Sequence, residues 1–309
     1  MMKGLDLSEQ YFREKGLPLF NRDFPSLVNR MAVGLVGDGS DCFGFDDEIS
    51  RDHDWGPGFC IWLNQSDFRS FSDDLKEAMQ KLPADFQGFS SRNSSLWGKN
   101  RVGVFETKAF FSTFIGLTGI PETNDEWMLI PENNLAACTN GRIFYDPLGE
   151  FTSLRNSLLA FYPEDVRLKK IAARCMTSGQ SGQYNFPRCC KRKDFFAAQY
   201  AETKFCSDII SIVFLFNRKY SPFYKWMHRA LADLNLLGPW MFHMISKLVT
   251  IRDPVVKEEI IEEMSLALIE TIRNSGLSSS NSSFLADHGP EILTRIQDPI
   301  LRSKDVWVG

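Results

Sequence analysis

The sequence lacks any hydrophobic run long enough to cross a bilayer, which takes roughly 18–20 consecutive apolar residues. Its longest apolar stretch, residues 209–216, is interrupted by Ser211, and the first segment, Met1 to Glu9, has no apolar signal core. These absences predict a soluble, cytoplasmic protein with no membrane partner.

The cysteine and histidine patterns that build disulfide frameworks or zinc sites are also missing. The chain has seven cysteines, an odd number, and its four histidines are scattered. The adjacent pair Cys189 and Cys190 has no matching Cys or His set at zinc-site spacing. We therefore expect free thiols, as in a reducing cytosol. Walker-type and Gly-x-Ser-x-Gly motifs are absent too, which excludes P-loop kinases and serine hydrolases.

The sequence also lacks an excess of positive charge. The formal net charge is −4, so no overall field attracts nucleic acid, and the composition disfavours a nucleic-acid partner. A local basic run covers residues 188–193. It has two interpretations: a solvated surface, or a group of cations that neutralises a triphosphate.

What the sequence does contain is a Gly-Ser turn followed by an Asp-x-Asp pair. Gly39 and Ser40 come just after the apolar segment 31–36, and Asp52 and Asp54 follow them. A Gly-Ser turn lets backbone N–H groups and a hydroxyl approach a phosphate. Two aspartates at i and i+2 of a strand point to the same face, and paired carboxylates suit Mg²⁺. With a strand running from residue 52 to 63, the sequence predicts a Mg²⁺ site beside a phosphate-binding turn.

These residues resemble the signature of the nucleotidyltransferase superfamily of the DNA polymerase β type, which is Gly-Ser, a short spacer and Asp-x-Asp. The string from Val36 to Asp54 looks like one uncharacterised bacterial branch, a nucleotidyltransferase-like domain of unknown function. It departs from the superfamily in the acidic cluster Asp46-Asp47-Glu48 and in the Arg that precedes Asp52. A solvated acidic hairpin is the plainer interpretation of the same residues. A calcium loop is rejected because the required acidic register does not fit.

The resemblance implies a mixed-sheet α/β (α+β) nucleotidyltransferase domain with flanking helices, followed by an all-α helical bundle. It implies that ATP or another nucleoside triphosphate binds at Gly39 and Ser40, while Asp52 and Asp54 hold one or two Mg²⁺ ions. A nucleoside monophosphate, AMP if the donor is ATP, then moves to the hydroxyl of an unknown acceptor, expected to be a small molecule. Two alternatives stay open: a nucleotide-binding or protein-interaction module without turnover, and transfer to a macromolecule, either a protein or an RNA end.

A third carboxylate is expected on the next strand. Residues 101–111 read as a strand that places Val102, Val104 and Glu106 on one face. Glu106 would complete a triad with the two aspartates or act as the general base. A surface glutamate on an edge strand explains the same position equally well.

The pattern becomes helical after residue 150, which divides the chain into a catalytic domain, 1–150, and a helical domain, 151–309. Helices are predicted over 153–162, 165–178, 195–217, 223–236, 240–251 and 254–274. An Asn-Gly turn and a strand near residues 140–146 are expected to close the sheet, in a structural role.

Three residues of the helical domain are candidates to contact the nucleotide. Tyr184 and Arg188 lie in one polar-aromatic segment and Lys225 in another. Aromatic rings stack on bases, and cations hold phosphates. The competing interpretation places such aromatics in the bundle core and such cations in structural ion pairs.

Overall fold

The computed structural model describes residues 2–92 and 101–309. The chain is a mixed α/β protein that forms two compact units. Unit 1 comprises Met1–Pro121 and Asn134–Ala160, and unit 2 comprises Glu122–Asn133 and Phe161–Gly309. Among the described residues, no helix is long and apolar enough to cross a membrane.

Unit 1 is built on a four-stranded sheet with the order β5-β2-β1-β6. Strands β1 (Ala32–Leu35) and β2 (Cys60–Leu63) are antiparallel, and every residue of both is buried. Strand β6 (Arg142–Tyr145) is antiparallel to β1, whereas β5 (Gly103–Glu106) is parallel to β2. The continuous apolar character of β1 and β2 follows from burial on both faces. A small hairpin, β3 (Asp85–Phe86) and β4 (Phe89–Ser90), stands apart from this sheet.

Helices flank the sheet of unit 1. They are α1 (Gly4–Tyr11), α2 (Leu17–Asp23), α3 (Gln65–Gln80), α4 (Thr107–Ile115) and α7 (Glu150–Leu159). A π-helical segment, Phe12–Gly16, joins α1 to α2. Helix α6 (Glu132–Thr139) begins in unit 2 and continues in unit 1. An aromatic cluster forms part of the core, with the Phe59 ring 5.4 Å from that of Phe12 and 6.1 Å from that of Phe20.

Among the described residues of unit 2, all regular secondary structure is helical. Its helices are α5 (Asn124–Leu129), α8 (Glu164–Ser178), α9 (Phe186–Lys191), α10 (Phe195–Phe216), α11 (Tyr224–Leu231), α12 (Gly238–Thr250), α13 (Pro254–Asn274), α14 (Gly289–Thr294) and α15 (Pro299–Ser303). The long helix α10 packs against α8. A π-helical segment, Gly179–Asn185, joins α8 to α9. There a Cβ on Gly182 would lie 2.3 Å from the Phe205 ring, so this packing requires glycine.

Most predicted helices are confirmed within a few residues, and the 254–274 helix matches α13 at both ends. The sequence also predicts two helices over residues 7–15 and 19–30, but the structure has one continuous helical run from Gly4 to Asp23, because the π-helical segment bridges them. The helical structure at residues 179–191 had no prediction, because its Gly, Ser and Asn content is typical of loops. The Ser- and Asn-rich composition of residues 88–99 predicts a loop; most of it lies outside the described residues, and its start contains β4.

The strand predicted to begin at Asp52 is wrong. It begins at Cys60, and the intervening residues are irregular. The segment Gly56-Pro57-Gly58 explains the difference: Gly56 has a φ of 135° and proline has no N–H for the ladder. The strand predicted over 101–111 is also shorter, since α4 begins at Thr107.

Candidate active site

A short loop follows β1 and is held from the side by one asparagine. The Gly37 N–H donates to Asn140 Oδ1 at 3.0 Å, and Asn140 Nδ2 donates to the Gly37 carbonyl at 2.7 Å. Asn140 therefore binds the loop as a paired amide clamp, in which both of its polar ends are used. Gly39 and Ser40 follow the clamped Gly37 after one intervening residue, Asp38, and a turn begins at Ser40.

Gly141, directly after Asn140, allows the backbone of the turn to pass close to the backbone of Leu35. Gly141 has a φ of 65°, and its N–H donates to the Cys42 carbonyl at 2.9 Å. A Cβ at this position would lie 1.9 Å from the Leu35 carbonyl oxygen. The Asn-Gly turn before β6 thus fixes the loop after β1.

A chain of buried charges lies next to the loop. Asp41, almost fully buried, pairs with the guanidinium of Arg92, which is itself only 5% exposed. Arg92 Nη1 also donates to the main-chain carbonyl of Asp54 at 2.9 Å. The Asp54 carboxylate, in turn, lies 3.3 Å from Arg101 Nη1. A buried charge needs a partner of opposite sign, and this alternation of acid and base provides one for each.

These elements meet at a cavity of about 740 Å³, within the range of small-molecule sites. Three kinds of group line it. The glycine-rich loop contributes Gly37, Asp38 and Gly39, and cations come from Lys76, Arg92 and Arg101. The aromatic part of the wall is formed by Phe68, Phe105, Phe110 and Phe114.

The cavity combines groups that suit an anion with groups that suit a planar ring. Arg92 is fixed by Asp41 and by the Asp54 carbonyl, whereas the Arg101 side chain is one-third exposed and pairs with Asp54. Arg101 is therefore the more accessible cation. Desolvation raises the pKa of the Asp38 carboxyl, although the charge of Arg101 acts in the opposite direction.

Glu106 borders this cavity and a second one. The second cavity, of about 860 Å³, is lined by polar side chains that include Asn64, Ser112 and Glu150, and the two cavities share Glu106 and Ala109. The Glu106 carboxylate caps α4 by accepting the N–H groups of Lys108 and Ala109. An ionised carboxylate offers about four lone-pair sites, so the cap leaves acceptor capacity free.

Asp52 and Asp54 are not presented as a same-face pair. Asp52 is exposed and pairs with His53, with 2.7 Å between Oδ1 and Nδ1, whereas Asp54 is 8% exposed and has a φ of 54°. Asp52 borders a different depression, of about 190 Å³. Among the described residues, no three His, Cys, Asp or Glu side chains form a group that could hold a metal ion.

The acidic cluster that sets this sequence apart has a structural function. Asp46 is 3% exposed and accepts hydrogen bonds from the Gly4 N–H at 2.8 Å and from Trp55 Nε1 at 3.0 Å. Burial by itself raises the pKa of this carboxyl, but those hydrogen bonds and the charge of Lys3 outweigh it, so the pKa of Asp46 is lowered. Asp47 caps the turn that precedes Asp52.

The remaining candidates belong to unit 2. Arg188 lies on α9, and its guanidinium is 4.3 Å from the centre of the Tyr184 ring. Both are exposed. Lys225, on α11, is also exposed, and its Nζ lies 5.0 Å from the centre of the Trp226 ring. The structure thus brings Tyr184 and Arg188 together, while Lys225 has a different aromatic neighbour.

Sequence reasoning missed several residues that shape the cavity, chiefly Arg92, Arg101 and Asp41. No spacing in the sequence signals the partner of any of these three residues. Asn140 did carry a signal, since an Asn-Gly turn was predicted there. Its contact with Gly37 joins residues 103 positions apart, which no local pattern reveals.

Comparisons with known proteins bear on only part of the chain. No curated protein and no solved structure matches it. Residues 127–227, about a third of the chain, match a family model described as a domain of unknown function (DUF4037). Tyr184, Arg188, Lys225 and the Asn140-Gly141 turn lie within the match, whereas the loop after β1, Asp52, Asp54 and Glu106 lie outside it. The chain is therefore similar to DUF4037 over this segment.

Proposed function

We propose that this protein is a nucleotidyltransferase that moves a nucleoside monophosphate from a triphosphate, with Mg-ATP as the expected donor, to an acceptor hydroxyl. One observation carries the proposal: the loop Gly37–Gly39, Arg101 and Glu106 border the same 740 Å³ cavity, whose wall also includes four phenylalanine side chains. Backbone N–H groups and a guanidinium suit phosphate oxygens, and phenylalanine rings suit a base.

In the proposed reaction the triphosphate lies along the loop, with its negative charge facing Arg101. The acceptor occupies the second cavity, which Glu106 also borders. Glu106 takes the proton of the acceptor hydroxyl, and the hydroxyl oxygen bonds to the α-phosphorus. The bond from the α-phosphorus to the bridging oxygen breaks, and pyrophosphate leaves. The positive charge of Arg101 stabilises the charge that develops on the phosphates.

Magnesium enters this proposal as part of the substrate, Mg-ATP. The predicted site on Asp52 and Asp54 does not fit the arrangement of these side chains, because Asp54 is paired with Arg101 and Asp52 with His53. No step is therefore assigned to an ion held by the protein. Asp54 contributes by orienting Arg101, which lies 3.3 Å away.

A nucleotide-binding protein without turnover is the second candidate. The separation of Asp52 from Asp54 favours it, because the paired carboxylates expected of an active transferase are not presented together. The same cavity would then bind the triphosphate and release it unchanged.

Two substitutions separate binding from transfer. Arg101→Met removes a charged hydrogen-bond donor worth about 1.5–3 kcal/mol, so we expect Mg-ATP affinity to fall about 10-fold or more in calorimetric titration. Glu106→Gln removes the base and keeps an acceptor oxygen for one of the two cap hydrogen bonds, so it should bind Mg-ATP normally and lose transfer of α-labelled phosphate to acceptors in cell extract.

The controls follow from the pairings. Arg101→Lys keeps the positive charge beside Asp54. Arg22→Met removes a cation that pairs with Asp23, and neither of these two residues lines the cavity. Equal Mg-ATP affinity in wild type and Arg101→Met would contradict the binding site. Normal binding without transfer in the wild type, with every nucleotide tested, would favour the second candidate.

A further inference from the structure

An exposed aromatic and basic surface covers the start of α10. Phe195, Phe196 and Tyr200 are 74%, 80% and 67% exposed, respectively. At 100° per residue these three lie within an arc of about 140° on one side of the helix. The three residues Lys191–Lys193, also exposed, come just before them. We call these six residues the basic face. Contiguous exposed apolar surface of this kind is typical of an interaction site.

A second exposed surface, of opposite charge, lies on α13. Its solvent side carries four glutamates, two apolar residues and one arginine: Glu259, Glu262, Glu263, Glu270, Val255, Leu266 and Arg273. All seven fall within an arc of about 100° on the helix. Val255 is 62% exposed and Leu266 is 50% exposed. We call this set the acidic face.

The two faces lie on elements that contact each other in unit 2. Helix α13 packs against α9, whose last residue, Lys191, belongs to the basic face. Glu262 of the acidic face accepts a hydrogen bond of 2.8 Å from Gln183, in the π-helical segment that leads into α9. The acidic face therefore lies on a helix that packs beside the start of the basic face.

We propose that this surface binds a second copy of the chain across a two-fold axis. Adjacent faces of opposite charge satisfy such an axis, because the basic face of each copy meets the acidic face of the other in two equivalent contacts. The aromatic residues of one copy then pack on Val255 and Leu266 of the other. Phenylalanine and tyrosine are enriched at interfaces, and complementary charges fix the register.

The neighbouring glutamates favour a second copy of the chain over a polyanion as the partner of this surface. Four exposed acidic residues beside the basic face repel a nucleic-acid backbone or an anionic lipid surface. The overall charge of −4 acts in the same direction. A partner that carries both charges, as this chain does, matches both faces.

Sedimentation over micromolar concentrations tests the proposal. The wild type should dimerise, and Phe195→Ser/Phe196→Ser should raise the dimer dissociation constant at least ten-fold with an unchanged circular dichroism spectrum. Ile49→Ser, which alters an 84% exposed residue of unit 1, is the matched control and should leave it unchanged.

Variants that reverse the charge of one face provide a more specific test. Lys191→Glu/Arg192→Glu and Glu259→Lys/Glu263→Lys should each be monomeric, because like charges then meet in both contacts. Mixed together they should form a heterodimer, since both contacts become complementary again. A wild type that sediments as a monomer throughout, or two variants that fail to associate when mixed, would overturn the proposal. So would a single-stranded RNA oligonucleotide that binds the wild type and loses binding in Phe195→Ser/Phe196→Ser.

Discussion

At the scale of single residues, three buried carboxylates of unit 1 each have specific polar partners. Asp41 pairs with Arg92, Asp54 pairs with Arg101, and Asp46 accepts hydrogen bonds from Gly4 and from Trp55. The last arrangement ties the loop that carries Asp52 to the first turn of α1. An acidic residue that sequence inspection counts as solvated is thus part of the core.

Asp46→Asn is expected to lower the free energy of unfolding by about 1–3 kcal/mol at pH 7, because a charged acceptor of two buried hydrogen bonds is lost. The folded-state pKa of Asp46 is below the ordinary value of 3.8, so its contribution is complete above that pH. It is lost as the pH falls through the lowered pKa. Urea unfolding of both proteins between pH 7 and pH 3 measures this, and a difference that grows on acidification would contradict it.

At the scale of elements, the turn before β6 and the loop after β1 act as one. The turn is built from Asn140 and Gly141, and its two contacts with the loop are a paired amide clamp and a backbone hydrogen bond to Cys42. The loop therefore owes its conformation to a segment more than a hundred residues away. Its ability to line the cavity depends on that segment.

Gly141→Ala should destabilise the protein by more than about 3 kcal/mol, because the new Cβ meets the Leu35 carbonyl in addition to the strain of a positive φ. Gly149→Ala is the matched control: its φ is 70°, and nothing lies within 4 Å of the new atom. That change should cost about 1–2 kcal/mol, from the left-handed backbone alone. Thermal unfolding compares the two, and equal losses would disprove the close approach.

At the scale of the whole molecule, all seven cysteines are free and spread over both units. Five are buried: Cys42, Cys60, Cys138, Cys175 and Cys206. Burial raises the thiol pKa of Cys60, Cys138, Cys175 and Cys206 to about 12. These groups therefore combine low access with a scarcity of the reactive thiolate.

A thiol reagent such as Ellman's reagent should accordingly react with Cys189 and Cys190 in the native protein and with the five buried thiols only on unfolding. Both reactive residues are half-buried. Cys189→Ser/Cys190→Ser should abolish the native reaction. Dithiothreitol should leave the melting temperature unchanged, because no disulfide contributes to stability. Release of substantially more thiol equivalents from the native protein would contradict the burial of the core cysteines.

Sequence prediction succeeded where the sequence pattern lies within a single strand, helix or turn. The apolar run before Gly39 forms β1, the periodicity of residues 254–274 forms α13, and the Asn-Gly signal forms a turn at residue 140. It failed at Asp52, where alternation suggested a strand although Gly56-Pro57-Gly58 prevents one. Glu106 was placed on the right strand, but its function as a helix cap was not anticipated.

The sequence by itself determined the order and type of most elements, because hydrophobic periodicity and Gly or Pro punctuation act within a few residues. It also identified Gly39 and Glu106, which the fold brings to one cavity. Only the tertiary structure decided which charged and polar groups from distant segments meet. Arg92 with Asp41, Arg101 with Asp54 and Asn140 with Gly37 are pairings between segments distant along the chain, and burial makes each of them obligatory once the sheet has formed.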